Sequence, residues 1–147
     1  MKFIGKNLNL TYANYRAFEL WSSFMPHRKE IKNTIGIEFY NIQINPEGFK
    51  FGLKEPFVKW AAVAVNDFNF VPEGMETLEI QEGLYAVFNY KGDQSNASSF
   101  FKSIYSEWLP SSEFDLDNRP QFEILGEKYK KDDPNSEEEI WIPIKKH

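Results

Sequence analysis

The sequence predicts an α+β fold in which a β-α-β-β module occurs twice, related by a pseudo-two-fold axis. Two stretches carry apolar residues at helical spacing, and each is preceded by one strand-like stretch and followed by two. A chain of 147 residues is long enough for one domain with a sizeable core. We therefore expect modules at about residues 1–66 and 82–147. Their strands should form one antiparallel sheet, with the helices on one side and a ligand groove on the other.

The first half reads strand, helix, strand, strand. Residues 7–13 (NLNLTYA) predict the opening strand, and apolar residues recur at helical spacing over residues 15–25. Pro26 is expected to kink or restart that helix, because proline lacks the backbone N–H. Residues 36–44 (GIEFYNIQI) and 56–65 (PFVKWAAVAV) are rich in β-branched and aromatic residues, which predicts two strands separated by the turn NPEG.

The second half repeats this order. Residues 83–92 (GLYAVFNYKG) predict a strand, and the polar run at 93–98 (DQSNAS) offers capping residues for a helix. The helix should end at Pro110, and residues 121–129 (QFEILGEKY) and 138–145 (EEIWIPIK) predict a closing pair of strands. Apolar residues mark the helix with the clearest periodicity in the chain: Ala97, Phe100, Phe101, Ile104, Tyr105 and Trp108.

Composition excludes several classes of function. The net charge of −5 and the lack of a dense Lys/Arg tract argue against direct nucleic-acid binding. With no cysteine and only two histidines, we expect no metal site and no cofactor. No apolar run is long enough to span a membrane and no signal peptide is evident, so the sequence predicts a cytoplasmic protein.

Aromatic residues make up 17% of the chain, which is more than a small core requires. One interpretation is an aromatic-rich core, and the other is that some of the rings line a ligand cavity. Both interpretations stay open at this level.

Glutamates adjacent to aromatic residues are the most suggestive polar feature. In an extended strand, side chains alternate between faces, so Glu139 and Trp141 share one face and Glu138 shares the other with three isoleucines. Antiparallel pairing of the last two strands can bring Glu123 close to Glu139. Glu137 and Glu138 are expected at the turn end, where solvent screens their charge.

The alternative is structural. Glu123 and Glu139 can each lie at a wet sheet edge and pair with Lys128 or Lys145. A carboxylate pair that faces a cavity is harder to explain on structural grounds, because burying an unpaired charge is costly.

The second half resembles the GyrI-like (AraC-type) effector-binding domain family. The pattern W-L-P … R-P-x-F-E-x-x-G-E … E-I-W-I-P carries the resemblance, and the segment FMPHRKEIKNTIG is also similar to single-domain members. The family fold is the duplicated module predicted above. The module occupies the whole chain, so the resemblance implies a free-standing domain without a helix-turn-helix. The loop IQEG before the strand-like stretch at residues 83–92 departs from the family pattern.

The resemblance implies that a small molecule, often flat, hydrophobic and cationic, binds in an aromatic groove with buried glutamates as counter-charges. Carried over by motif position, the implied ligand-binding residues are Glu123, Glu139, Trp141, Tyr85 and Trp108, with Trp60 taken from the equivalent strand of the first half.

Three functions follow as alternatives. The first is a binding module for cationic or amphipathic aromatic compounds, acting in sensing or sequestration. The second is a hydrolase of strained cyclopropane-bearing toxins, in which Glu139 or Glu123 acts as general base. The third is a protein inhibitor of DNA gyrase, which requires a protein partner.

Overall fold

The computed structural model describes residues 1–93, 96–130 and 133–147. In these ranges the chain forms an α+β fold with an eight-stranded antiparallel sheet. The strands are β1 (Lys2–Leu10), β2 (Phe39–Ile44), β3 (Phe57–Val65), β4 (Glu76–Glu79), β5 (Tyr85–Lys91), β6 (Phe114–Leu116), β7 (Gln121–Leu125) and β8 (Glu137–Lys146). The helices are α1 (Ala17–Phe24), α2 (Ala97–Ser103) and the single turn α3 (Leu109–Ser111). No helix within the described ranges is long and apolar enough to cross a membrane.

The strand order shows the duplication. The sheet runs β4-β1-β3-β2-β7-β8-β5, and β6 pairs with the end of β8. Without β4, the order β1-β3-β2 is repeated in the opposite direction as β5-β8-β7. The two halves join where β2 pairs antiparallel with β7, and Asn41 lies opposite Glu123 at the centre of that pair. The predicted duplicated β-α-β-β architecture is therefore confirmed.

The first strand begins earlier than predicted. β1 starts at Lys2, because the whole segment pairs with β3 on one side and its first residues pair with β4 on the other. Phe3 and Ile4 are both fully buried on opposite faces of the sheet. A strand that is buried on both faces shows no alternation of apolar and polar residues, so the sequence pattern missed its start.

Pro26 acts on the first helix as predicted. The α-helical hydrogen bonding of α1 ends at Phe24, and the chain continues as a 3-10 helix over Met25–Glu30. Proline is tolerated in the first turn of a helix because the N–H groups there have no intrahelical acceptor.

The second helix is continuous but irregular. After α2, residues 104–108 form a π-helical turn, which leads directly into α3. Pro110 lies within the first turn of α3, so the helix extends one residue beyond it. Asn96 is the N-cap residue, but its side chain makes no capping hydrogen bond. The other predicted capping positions include residues 94 and 95, which lie outside the described ranges.

The helices α1 and α2 pack on the same side of the sheet. Leu20 and Phe24 of α1 contact the β1 and β3 side chains in one apolar cluster, which also contains Ile4, Ala61, Val63 and Val65. Ala97 and Ile104 pack in a second cluster on Ile140, Ile142 and Ile144 of β8. The opposite face of the sheet carries a third cluster, rich in aromatic rings, built around Phe3, Ile42, Trp60 and Phe122.

Two short strands were not predicted from the sequence. β4 lies between the two predicted modules, and β6 precedes the final strand pair. Strands of four and three residues are too short for alternation to be recognised, and they form because an edge of β1 and an end of β8 are available for pairing.

Candidate functional site

Polar side chains meet where the two modules join. Asn41 lies opposite Glu123 and Gln43 lies opposite Gln121 across the β2–β7 pair. All four lie on the strand face that is turned toward the helices, because they alternate with the apolar Ile42 and Phe122 of the opposite face. The joined central strands therefore provide a polar floor between the two helix-covered clusters.

A cavity of about 590 Å³ lies above this floor. Its volume is in the range of sites that bind drug-sized molecules. Five aromatic rings form its walls. They come from the loop after β1, the β2–β3 loop and the second helix, and they are Tyr12, Tyr15, Phe51, Phe101 and Tyr105. The cavity therefore combines apolar ring walls with a polar floor.

The phenol groups are held by hydrogen bonds to the floor. Tyr105 donates to the side-chain oxygen of Gln121, and the Gln43 side-chain nitrogen donates to the Tyr12 hydroxyl at 2.9 Å. Burial raises the pKa of Tyr105 and of Tyr12 above the ordinary tyrosine value. Both rings are therefore neutral hydrogen-bonding groups at physiological pH. The π-helical turn that contains Tyr105 is of the kind that often occurs at functional sites.

Lys59 of β3 extends into the cavity from the floor. Its exposed fraction is 4%, and its ammonium donates a hydrogen bond to Gln43 at 3.3 Å and lies 5.7 Å from the centre of the Tyr15 ring. Burial by itself lowers the pKa of Lys59, but nearby Tyr15 and Glu123 outweigh this effect and raise it. Lys59 is therefore a charged group inside a largely apolar cavity.

Two carboxyl groups lie near each other on the floor side. Glu123 accepts a hydrogen bond from Asn41 at 3.4 Å, and Glu138 lies on the same face of the neighbouring strand. The exposed fraction of Glu138 is 4%, and neither of its oxygens accepts a hydrogen bond from a described residue. Burial, and then the negative charge of Glu123, raise the pKa of Glu138 to about 9. Glu138 therefore retains its proton at neutral pH.

Glu138 was expected in solvent, and the structure corrects that expectation. β8 starts at Glu137, so Glu138 is already within the sheet and opposite Tyr90 of β5. The neighbour of Glu123 is therefore Glu138. Glu139 lies opposite Ile124 on the other face, where its carboxylate accepts a hydrogen bond from the Trp141 indole at 3.0 Å.

The six ligand-binding residues that the resemblance implied lie in three different places in the structure. Glu123 lines the cavity, on a central strand and not at a sheet edge. Trp60, Tyr85 and Trp141 belong to the aromatic cluster on the opposite face, and Glu139 is exposed on that face. Trp108 packs edge-on against Phe88 in the apolar cluster beneath the second helix.

The cavity lies on the helix side of the sheet, whereas the sequence predicted a groove on the opposite side. The rings of the opposite face pack on one another. Phe122 stacks on Trp141 with ring centres 5.3 Å apart, and the Tyr85 ring lies 5.3 Å from Phe122. These rings fill the space between them. On the helix side, α1 and α2 cover separate clusters, which leaves the region between them open.

Sequence reasoning missed Asn41, Gln43 and Lys59. A signal for them exists in the strands themselves, because each is a polar residue at an inward position of an otherwise apolar stretch. A polar side chain in such a position must find a partner or face a cavity. The rings of Phe101 and Tyr105 were recognised but interpreted as part of the helical core stripe.

This arrangement of fold and site defines the class of effector-binding domains. A family model described as Cass2, integron-associated effector binding protein, matches residues 1–144. The chain belongs to this family, and the resemblance to GyrI-like effector-binding domains is confirmed. Small-molecule binding, in general terms, is the function that this membership gives.

One curated relative is a regulator. The chain is 29% identical over 129 residues to the transcriptional regulator BrlR of Pseudomonas aeruginosa. The match covers 86% of this chain and 45% of the relative, so the chain spans less than half the length of that protein.

Solved structures share the fold over nearly the whole chain. The integron cassette protein from the mobile metagenome of Vibrio cholerae superimposes with a TM-score of 0.70 at 15% identity, covering 99% of this chain and 90% of that one. The structure of SAV2435 bound to tetraphenylphosphonium gives a TM-score of 0.61 at 16% identity, covering 99% and 88%. At these identities the likeness establishes the fold alone.

Proposed function

We propose that this protein binds flat aromatic compounds that carry a positive charge, and that it acts in their sensing or sequestration in the cytoplasm. The observation that carries the proposal is the ring-walled cavity of about 590 Å³ with the Glu123 carboxylate in its floor. The ligand, on this proposal, lies between the two helices above the β2–β7 pair.

The rings supply most of the binding free energy. Tyr15, Phe51 and Phe101 offer apolar faces on which a planar ligand can stack, and such ring pairs add about 0.5–1.5 kcal/mol beyond simple burial. A cation over a tyrosine face gains further attraction from the ring quadrupole. A hydrogen bond from Tyr105 to Gln121 and one from Gln43 to the Tyr12 hydroxyl fix these rings before the ligand enters, which reduces the entropy lost on binding.

Glu123 supplies the counter-charge. It is half-buried, and its neighbour Glu138 retains its proton at neutral pH, so Glu123 is the carboxylate of the floor that we propose faces the ligand's positive charge. A charge-assisted contact in a site with little water is stronger than the same contact on the surface.

The relatives support the proposal in kind. SAV2435 was solved with tetraphenylphosphonium, which is an aromatic cation, and BrlR is a transcriptional regulator. The proposal extends ligand binding of that sort to this chain, with regulation as the process that it serves.

A titration with a planar cationic dye such as rhodamine 6G tests the proposal. We expect saturable binding, and a free energy of unfolding that rises by about 2.7 kcal/mol when the dye is at one hundred times its dissociation constant. Glu123→Gln should weaken dye binding about tenfold, because the dye's charge is left without a partner. Glu139→Gln is the matched control, since Glu139 is exposed on the opposite face and should not affect affinity.

Dye binding that does not saturate, or that is equally strong in both variants and the wild type, would contradict the proposal. Mass spectrometry of the dye after incubation should recover it unchanged. A hydrolysed dye would instead show that the protein turns its ligand over and does not only bind it.

A further inference from the structure

Lys59 is an unusual residue for a cavity that binds cations. Within residues 1–93, 96–130 and 133–147, its ammonium has no carboxylate within ion-pair distance. The hydrogen bond to Gln43 is made to a neutral amide. Buried ammonium groups are normally paired with an anion, because desolvating an unpaired charge costs several kcal/mol.

The charges around the cavity suit an aromatic cation that also carries an acidic group better than one with a positive charge alone. Among the described residues, its lining contains two ammonium groups, of Lys59 and Lys102, and one carboxylate, of Glu123. Glu138 next to Glu123 does not change this count, because it is protonated at neutral pH. A ligand with only a positive charge therefore gains one attraction at Glu123 and meets repulsion from Lys59.

Lys59 and Glu123, which both lie in the described part of the chain, form no ion pair with each other. In the sheet register, Lys59 lies opposite Gln43 of β2, and Glu123 lies opposite Asn41, which precedes Gln43 by two residues on the same strand. Their backbones are thus separated by two strand spacings across the sheet and two residues along it, which is about 12 Å. A flat molecule with charges at its two ends can contact both side chains from the cavity.

We propose that the natural ligand is amphoteric: an aromatic compound whose basic group pairs with Glu123 and whose acidic group pairs with Lys59. This inference rests on the proposed function, since it concerns the same cavity. It adds that Lys59 is the residue that selects an acidic group and that the aromatic ring system spans the floor between the two charges.

Three probes that differ in one group each test this inference. Norfloxacin carries a carboxylate and an ammonium at opposite ends of a flat ring system. Its methyl ester lacks the acid, and N-acetylnorfloxacin lacks the basic amine. All three are titrated by calorimetry near neutral pH into the wild type, Lys59→Met and Glu123→Gln. Lys54→Met is the control, because it removes one positive charge from an exposed loop position. Thermal unfolding of each variant verifies the fold.

The wild type should bind norfloxacin about tenfold more tightly than its methyl ester, which corresponds to one charge-assisted contact. Lys59→Met should weaken the binding of norfloxacin and strengthen the binding of the methyl ester, so the preference for norfloxacin is lost or reversed. Glu123→Gln should weaken the binding of norfloxacin and of the ester, and it should leave the affinity for the N-acetyl compound unchanged. Opposite effects of one substitution on two probes are not expected of a residue that only supports the structure.

Equal binding of norfloxacin and its ester by the wild type would overturn the inference, and so would a preference that survives Lys59→Met. If Lys102→Met abolishes the preference and Lys59→Met does not, the acid-binding group is at the rim and the assignment to Lys59 is wrong. Binding of rhodamine 6G without binding of norfloxacin would overturn the inference and leave the proposed function intact. If neither the three probes nor the dye binds, both the inference and the proposed function are wrong.

Discussion

Glu138 is the residue at which burial and charge conflict most strongly. It lies within the sheet and, among the described residues, neither of its oxygens accepts a hydrogen bond and three ionisable groups interact with it: Glu123, Lys59 and Tyr90. Burial and the Glu123 charge disfavour its ionised form, while Lys59 favours it. The first two effects prevail, so Glu138 retains its proton in the folded state well above the pH at which an unfolded chain releases it.

This produces a predicted loss of stability with rising pH. The unfolded state releases the Glu138 proton near 4.5 and the folded state near about 9, so the unfolded state binds fewer protons between those values. The contribution of Glu138 to stability is complete below pH 4.5 and is lost progressively up to about 9. One proton accounts for at most about 1.4 kcal/mol per pH unit.

The measurement is urea unfolding of the wild type and of Glu138→Gln over this pH range. The difference between the two curves isolates Glu138 from other titrating groups, and it should favour the variant increasingly as the pH rises. Glu139→Gln, one residue away but exposed, should give no such trend. Parallel pH profiles for the wild type and Glu138→Gln would show that Glu138 is already ionised in the folded protein.

At the scale of elements, the β2–β3 loop forms one wall of the cavity through the ring of Phe51. Phe51 has a φ of 60°, in the left-handed region that a bulky side chain rarely adopts. Its ring lies 4.9 Å from the Tyr105 ring and 4.8 Å from the Phe49 ring. The strained backbone of the loop therefore brings an aromatic ring from the first module onto the helix of the second.

Two substitutions at Phe51 separate strain from ligand contact. Phe51→Gly and Phe51→Ala both remove the ring, so each should weaken dye binding by roughly twofold to tenfold, as expected for one ring contact. Only glycine relieves the backbone, so Phe51→Gly should be more stable than Phe51→Ala by about 1 kcal/mol. Calorimetric titration and thermal unfolding measure the two effects. Dye affinity equal to that of the wild type in both variants would show that the loop does not contact the ligand.

The elements show how far sequence reasoning extends. The two helices and the strands β2, β3, β5, β7 and β8 follow from periodicity and turn residues, because their local patterns agree with their tertiary environment. β4 and β6 could not be predicted, since they exist through pairing with distant residues. Glu123 was identified from its motif, but Lys59 was not, because the side of the sheet that stays open depends on where two helices leave a gap.

At the scale of the whole molecule, duplication explains where the cavity lies. Each module covers its own part of the sheet with one helix, and the joint between β2 and β7 is covered by neither. The polar floor residues lie at this joint, opposite one another. A symmetric fold thus leaves an open site near its pseudo-two-fold axis, and differences between the modules, such as Lys59, make the site chemically asymmetric.

The central claim is that ligands bind on the helix side of the sheet, and two tryptophans report on the two sides. The Trp21 indole donates a hydrogen bond at 3.4 Å to Asn41, which lines the cavity and contacts Glu123. The Trp141 indole is bonded to Glu139 on the opposite face. A titration of ¹⁵N-labelled protein with rhodamine 6G, followed by the indole N–H signals in ¹H–¹⁵N correlation spectra, therefore tests the claim directly. We expect the Trp21 signal to shift saturably while the Trp141 signal stays in place. A saturable shift of Trp141 with Trp21 unchanged would contradict the account and return the site to the opposite face.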